Sequence, residues 1–247
     1  MIDHATYGWR ARLGLIVPPT NTANEAEWQR VLPEGITVHS TRMPLHAQSN
    51  RPVREDDPIA VDLRAAAASL AQAGVAAIAY GCTAGSMIAP LDRLPQIMQA
   101  ATGVPGVTTA GAVVEALRRT GARTIAIAAP YSEEMVAHEA GFLRKIGFEI
   151  SAAQGLGIGA SGPEDFVRLR MVSPAHIYAL ARATVIAGTE ALFIACTDLA
   201  TLPVVEALEN DLGIPVITSN QATLWATLRA ARVQATITGW GRLFAAS

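Results

Sequence analysis

Charge, cysteine and long apolar runs are all scarce in this 247-residue chain, and each shortage excludes a class of protein. Only 16% of the residues are Asp, Glu, Lys or Arg, with 19 basic against 21 acidic side chains and no run of Lys or Arg. Such a chain carries no electrostatic footprint for nucleic acid or for an anionic membrane surface. The two cysteines, Cys82 and Cys196, have no second thiol or histidine at metal-ligand spacing, so a structural zinc site is not expected. Histidines at positions 4, 39, 46, 138 and 176 show no HxxxH or comparable spacing and read as surface or core. Mean hydropathy is +0.28. Even so, the longest apolar stretches, near 74–80 and 191–196, are far short of a membrane span and read as buried strands. The start, Met1-Ile-Asp-His-Ala-Thr-Tyr-Gly-Trp-Arg10, lacks the regions of a secretory signal. A cytoplasmic protein is expected, in which a disulfide is disfavoured. The expected partner is a small molecule or a second copy of the chain.

What the chain does contain is apolar and periodic. Hydrophobic residues make up 51% of it, and a chain of this size buries roughly 70 to 75% of its unfolded surface. That suffices for one large domain or two small ones. Apolar runs at 13–17, 75–80, 124–128 and 192–195 read as buried parallel strands. Between them, Ser173 and Pro174 open a helix that buries Ile177, Leu180, Ala181, Thr184 and Val185 and ends at Gly188. Ser132 opens another, with Glu133 and Glu134 in its first turn, closing at Gly147. Strand and helix in alternation make an α/β protein with mainly parallel sheets.

The chain also repeats itself. Arg12-Leu-Gly-Leu-Ile-Val-Pro-Pro19 lies over Arg123-Thr-Ile-Ala-Ile-Ala-Ala-Pro130 at an offset of 111, and Gly103-Val-Pro-Gly-Val-Thr108 over Gly213-Ile-Pro-Val-Ile-Thr218 at 110. Between these matches, Cys82-Thr83 lies over Cys196-Thr197 at 114. Two homologous α/β halves, 12–120 and 121–235, related by a pseudo-twofold, are therefore expected, with 236–247 packing on the first half.

Ligand sites of parallel α/β sheets lie at the carboxyl ends of strands. The repeat thus puts Cys82 and Cys196 across one cleft, each beside a helix N-terminus that favours thiolate. Either cysteine alone is equally well a small core residue; two on one repeat position point to a catalytic pair. Thr20 and Asn21 follow the first strand and Tyr131 and Ser132 the run at 124–128, as neutral donors for a carboxylate, although Asn21 and Ser132 also suit helix caps. Backbone N–H groups of Thr83, Ala84, Thr197 and Asp198 are candidate oxyanion donors. Asp198 either caps a helix or repels an anion. The glycines at 155, 157 and 159 lack dinucleotide-fingerprint spacing and read as a loop or flap continuing through Ser161-Gly-Pro163. Arg42 and Arg51, by default surface residues, flank a second candidate loop, 46–50.

The segments Val17-Pro-Pro-Thr-Asn-Thr22, His39-Ser-Thr-Arg-Met43, Tyr80-Gly-Cys-Thr83, Ala129-Pro-Tyr131 and Ala195-Cys-Thr197 together resemble the maleate cis-trans isomerase family of the aspartate/glutamate racemase superfamily. The carboxyl end, with Leu224-Trp225 and Gly239-Trp-Gly-Arg-Leu-Phe244, is more like arylmalonate decarboxylase, a sister branch with one catalytic cysteine, matching Cys196, and a glycine in place of Cys82. The resemblance implies an active site between two α/β domains, with Cys82 as nucleophile, Cys196 as its acid/base partner, and Asn21 and Tyr131 on substrate carboxylates. It also implies an asparagine in the loop at 155–165, where this chain has none. Either Ser161 takes that role or the second substrate group is not a carboxylate.

The chemistry follows from two thiols alone. A Cys82 thiolate adding to an activated double bond gives a carbanion held as an enediolate, and rotation followed by loss of the thiolate returns the trans isomer. With an acidic α-proton in the substrate, the same thiols racemise it. A cofactor-independent isomerase of a small carboxylate is the leading expectation, with no metal, nucleotide or pyridoxal group required. A racemase or decarboxylase of the same superfamily is the alternative. A non-catalytic carboxylate-binding protein is the third reading, which would leave both thiols without a purpose.

Overall fold

The computed structural model describes residues 5–46, 52–88 and 90–245. Its first half runs β1 (Ala11–Val17), α1 (Asn24–Val31), β2 (Ile36–Arg42), α2 (Pro58–Ala71), β3 (Ala77–Tyr80), α3 (Thr83–Ser86), α4 (Arg93–Thr102), β4 (Gly106–Thr108) and α5 (Thr109–Thr120). The second runs β5 (Thr124–Tyr131), α6 (Glu133–Lys145), β6 (Glu149–Ile158), a 3₁₀ helix (Pro163–Met171), α7 (Pro174–Thr184), β7 (Ala191–Ile194), α8 (Val205–Leu212), β8 (Val216–Thr218) and α9 (Ser219–Ala230). A short α10 (Arg242–Ala245) follows.

Two four-stranded parallel sheets result, ordered β2-β1-β3-β4 and β6-β5-β7-β8. The shared order is the structural form of the sequence repeat. Central strands β3 and β7 are buried along their whole length, which is why they read as unbroken apolar runs. In β1, Leu13, Leu15 and Val17 join the core shared with the second half, whereas Ile16 faces the core under α2 and α4. This is the period-two alternation of a strand.

Helices α5 and α9 hold the halves together. They pack on each other, α5 also reaches β8, and α9 reaches β4. Reciprocal contacts of this kind characterise a twofold interface. Helix α9 is buried from Ser219 to Leu228, and most of its polar side-chain atoms are bonded internally. Thr218 and Gln221 form a capping box at its start, and Thr223 Oγ1 donates to Thr109 Oγ1 of α5 at 3.0 Å.

Several elements differ from the sequence reading. The glycines of 155–159 are not a loop. Gly155 and Gly157 lie in β6, and Gly159 follows its last residue. A Cβ on Gly155 would stand 2.2 Å from the Tyr131 carbonyl oxygen, so tertiary approach, not turn chemistry, selects glycine there. Helix α7 stops at Thr184 rather than Gly188. The carboxyl-terminal segment is anchored on the second half: Gln221 Nε2 donates to the Trp240 carbonyl, and Arg242 donates from its backbone N–H to Glu209 Oε2 and from Nη1 to the Gly213 carbonyl. His4, residues 47–50, Arg51 and the last two residues lie outside the described residues. No helix among the described residues is long and apolar enough to cross a membrane.

Candidate active site

In the order β2-β1-β3-β4, the connection leaving β1 runs toward one edge of the sheet, to β2, and that leaving β3 toward the other, to β4. The carboxyl ends of β1 and β3, and likewise of β5 and β7, are therefore the switch points at which ligands bind. These four ends surround a cavity of about 400 Å³. Pro18, Thr20 and Asn21 reach it after β1, Tyr80, Cys82, Ala84 and Gly85 from β3 and α3, Tyr131 from β5, and Cys196 and Asp198 after β7. The remaining wall is apolar except for His46: Met135 from α6, Pro163, Phe166 and Leu169 from the 3₁₀ helix, and Leu45, which with His46 follows β2. No Lys or Arg lines it among the described residues.

Both cysteines are buried free thiols on this cavity, and their surroundings differ. Cys82 precedes α3 in an ordinary extended conformation, φ −142°. Its thiol accepts from the Gly85 N–H and the Tyr80 hydroxyl. Only glycine permits that approach, because a Cβ at position 85 would lie 2.9 Å from Cys82 Sγ and 2.7 Å from the Tyr80 oxygen. Cys196 sits at φ +99°, a left-handed value rare for any residue but glycine. Backbone strain of this kind is sustained only where the surroundings over-determine it. The Cys196 N–H donates to Ser219 Oγ at 3.1 Å, while its sulfur accepts from the Asp198 N–H at 3.3 Å and from the Tyr131 hydroxyl.

Neither thiol is poised as a thiolate, contrary to the sequence expectation. Burial pushes both up from the ordinary thiol range, strongly so at Cys196, where the Asp198 carboxylate adds to the effect. The assumed helix ends are also slight. Helix α3 has four residues, and after Cys196 no helix begins until Val205. Burial likewise raises Tyr80 and Tyr131, keeping both as hydroxyl donors.

The other sequence candidates divide into cavity-lining residues and struts. Thr83 and Thr197, matched in the repeat, do not line the cavity. Thr83 Oγ1 donates to Ser219 Oγ at 2.8 Å, which ties the Cys82 loop to the oxygen already holding Cys196. Thr197 Oγ1 donates to the Gly81 carbonyl at 3.0 Å and accepts from Asn21 Nδ2 at 2.9 Å. Asn21 lines the cavity while its Oδ1 accepts from the Asn24 N–H, so it caps α1 as well. Ser132 is the N-cap of α6 and stays off the cavity. Ser161 is exposed and does not line it either. Asp198 caps across the halves: its Oδ1 accepts from the Thr22 and Ala23 N–H groups at 2.8 and 3.3 Å. Burial raises it to about 6. Arg42 is engaged outside the cavity, with Glu25 at 2.7 Å.

Four contributors escaped the sequence reading: Tyr80, Gly85, Ser219 and the apolar 3₁₀ face. A fifth, Glu139 of α6, is fully buried one turn beyond Met135, with neither carboxyl oxygen hydrogen-bonded. Burial raises it to about 8, and its charge would oppose ionisation of both thiols and of Tyr131.

Known proteins resemble this chain over most of its length. The arylmalonate decarboxylase family model matches residues 13–244. A maleate isomerase of Pseudomonas putida is 31% identical over 250 residues, covering 94% of this chain and 96% of that protein. A crystal structure of arylmalonate decarboxylase superposes with a TM-score of 0.81 at 27% identity, covering 96% of this chain and all of that one. A Nocardia farcinica maleate cis-trans isomerase variant, carrying a covalently bound succinylcysteine intermediate, shares the fold at TM-score 0.82 and 24% identity, over 96% and 99% of the two chains. The chain belongs to the enzyme family that holds arylmalonate decarboxylase and the maleate isomerases.

Proposed function

We propose that this enzyme is a cofactor-independent cis-trans isomerase of a small unsaturated carboxylate, with Cys82 as nucleophile and Cys196 as acid/base. The observation that carries this reading is the pair of unequal thiols on one cavity. Two titratable groups whose surroundings separate their acidities mark an acid and a base. Cys82 is also raised by burial, but two hydrogen-bond donors on its sulfur oppose that rise, which makes it the more readily ionised thiol of the two and the nucleophile. Cys196, pushed strongly up beside Asp198, keeps its proton.

In the reaction, Cys82 Sγ bonds to one alkene carbon, and the π pair moves into the conjugated carboxylate as an enediolate. The former double bond is then free to rotate. Cys196 gives its proton to the carbanionic carbon and takes it back. The C–S bond breaks, the pair reforms the double bond, and the thiolate leaves. Asn21, Tyr131 and Thr20, with the N–H group of Ala84, hold the carboxylate and stabilise the enediolate.

The match to the decarboxylase family model favours a second reading, in which Cys196 alone protonates an enediolate left by loss of CO₂. Proton NMR in deuterated water, with maleate, aspartate, hydantoins and arylmalonates, separates the two. For the isomerase, Cys82→Ser and Cys196→Ser each reduce turnover by orders of magnitude with the fold intact. A decarboxylase tolerates Cys82→Ser or Cys82→Gly and is lost with Cys196→Ser. Full activity in both serine variants refutes either chemistry.

A further inference from the structure

We infer that the substrate carries one carboxylate and, on the far carbon of its double bond, a bulky apolar group in place of a second carboxylate. This rests on the isomerase reading for its chemistry and on the cavity wall for its substance. The polar lining comes from the strand ends: Thr20, Asn21, Tyr80, Tyr131 and the two thiols. Beyond them, the wall formed by Leu45, Met135, Pro163, Phe166 and Leu169 presents no polar side chain.

That wall is built, not incidental. A 3₁₀ helix has three residues per turn, so Pro163, Phe166 and Leu169 fall on a single face, and all three line the cavity. The charged residues Glu164, Asp165 and Arg168 between them, and Arg170 just beyond, occupy the other positions. Asp165 pins the helix by accepting from the Gly159 N–H at 2.9 Å and pairing with Arg168 at 2.9 Å. The Phe166 ring seats on Gly159, where a Cβ would stand 2.5 Å from the ring carbon Cε1.

A second carboxylate would meet poor company here. Among the described residues the charged side chain on the cavity is Asp198, itself acidic, and His46 is already faced by Asp62 at 3.0 Å. Arg170, close enough to bear on Asp198, is exposed and off the cavity. An unpaired carboxylate against apolar side chains is strongly disfavoured, whereas a phenyl or branched alkyl group gains from the same surface. The size agrees: 400 Å³ holds about a dozen water volumes of about 30 Å³, well beyond a four-carbon diacid.

The chemistry is unchanged. Cys82 Sγ bonds to the carbon bearing the apolar group, the π pair enters the carboxylate as an enediolate, the bond rotates, and thiolate is expelled with no net proton transfer. The test separates binding from turnover. Calorimetric titration of the whole enzyme compares 3-phenylpropanoate, phenylmalonate and succinate, and NMR follows (Z)-cinnamate. The expected result is 3-phenylpropanoate binding at least about tenfold tighter than either diacid, with (Z)-cinnamate converted to the trans isomer. Phe166→Arg, or Met135→Arg if the first does not fold, should erase that preference. Tighter binding of succinate or phenylmalonate, or no binding of 3-phenylpropanoate, overturns the inference whatever the turnover. Tight 3-phenylpropanoate with inert (Z)-cinnamate supports the inference and overturns the isomerase reading instead.

Discussion

Replacing Glu139 with glutamine should flatten the pH dependence of stability. The carboxyl is fully buried without a hydrogen-bond partner, and its raised value of about 8 compares with 4.5 for an unperturbed glutamate. A carboxyl raised in the folded state is protonated in both states below 4.5, so its penalty is absent there. As pH rises from 4.5 to about 8, the unfolded chain gives up the proton while the folded chain must keep it, and stability falls by about 1.4 kcal/mol per unit. At pH 7 the accumulated cost is about 3 kcal/mol, and at pH 5 it is about 1 kcal/mol or less. Glutamine has similar shape and no titration. Glu139→Gln should therefore gain about 2 to 3 kcal/mol more, relative to the parent, at pH 7 than at pH 5. Urea unfolding at half-unit steps from pH 5 to 8 reads this directly. Glu27, also raised by burial to about 7, imposes the same sign of slope on both proteins and cancels in the difference. A stability gain from Glu139→Gln that does not change with pH refutes the buried, protonated carboxyl.

Three other substitutions probe the site. Cys196→Gly removes a side chain held at φ +99°, and the relief of about 1 to 3 kcal/mol of strain should hold or raise the thermal midpoint while activity is lost; Cys82→Gly, at φ −142°, should lower it. Tyr131→Phe deletes a donor to Cys196 and should slow alkylation of that thiol at a given pH, read by peptide mass spectrometry, with Cys82 labelling little changed and kcat/KM down about ten- to a hundredfold. Gly155→Ala forces a methyl to within 2.2 Å of the Tyr131 carbonyl and should cost about 1 to 3 kcal/mol in urea unfolding, together with turnover, because it displaces the strand end that carries Tyr131.

The parts of this fold that are legible in the sequence are those governed by local pattern. Strands β3 and β7 are buried on both faces and so have to be unbroken apolar runs, and Ser132, Ser173 and Thr218 announce helix starts by their own chemistry. The cysteines stand out through the repeat. What escapes is set by distant partners. Gly155 looks like a turn glycine until the Tyr131 carbonyl is known to lie against it. The spacing of Pro163, Phe166 and Leu169, interrupted by charges, matches neither α-helix nor strand, since its period is three. Thr83 and Thr197 look like ligand donors because they follow the cysteines, whereas Ser219, Gly81 and Asn21, far off in sequence, claim their hydroxyls. Glu139 lies three and four residues from Met135, Val136, Phe142 and Leu143, so the helical period puts it on the inward face of α6, where a carboxylate is not expected.

The reciprocal packing of α5 and α9 gives the chain the architecture of a homodimer written into one polypeptide. In a true homodimer, two thiols meeting across the axis would be identical by symmetry, and neither could be assigned a fixed role before substrate arrived. Fusing the copies removes that constraint. In this chain the first cysteine is surrounded by Tyr80 and Gly85, and the second by Asp198, Tyr131 and a left-handed backbone. In the isomerase proposed above, that asymmetry would give the cleft one face for attack and another for protonation.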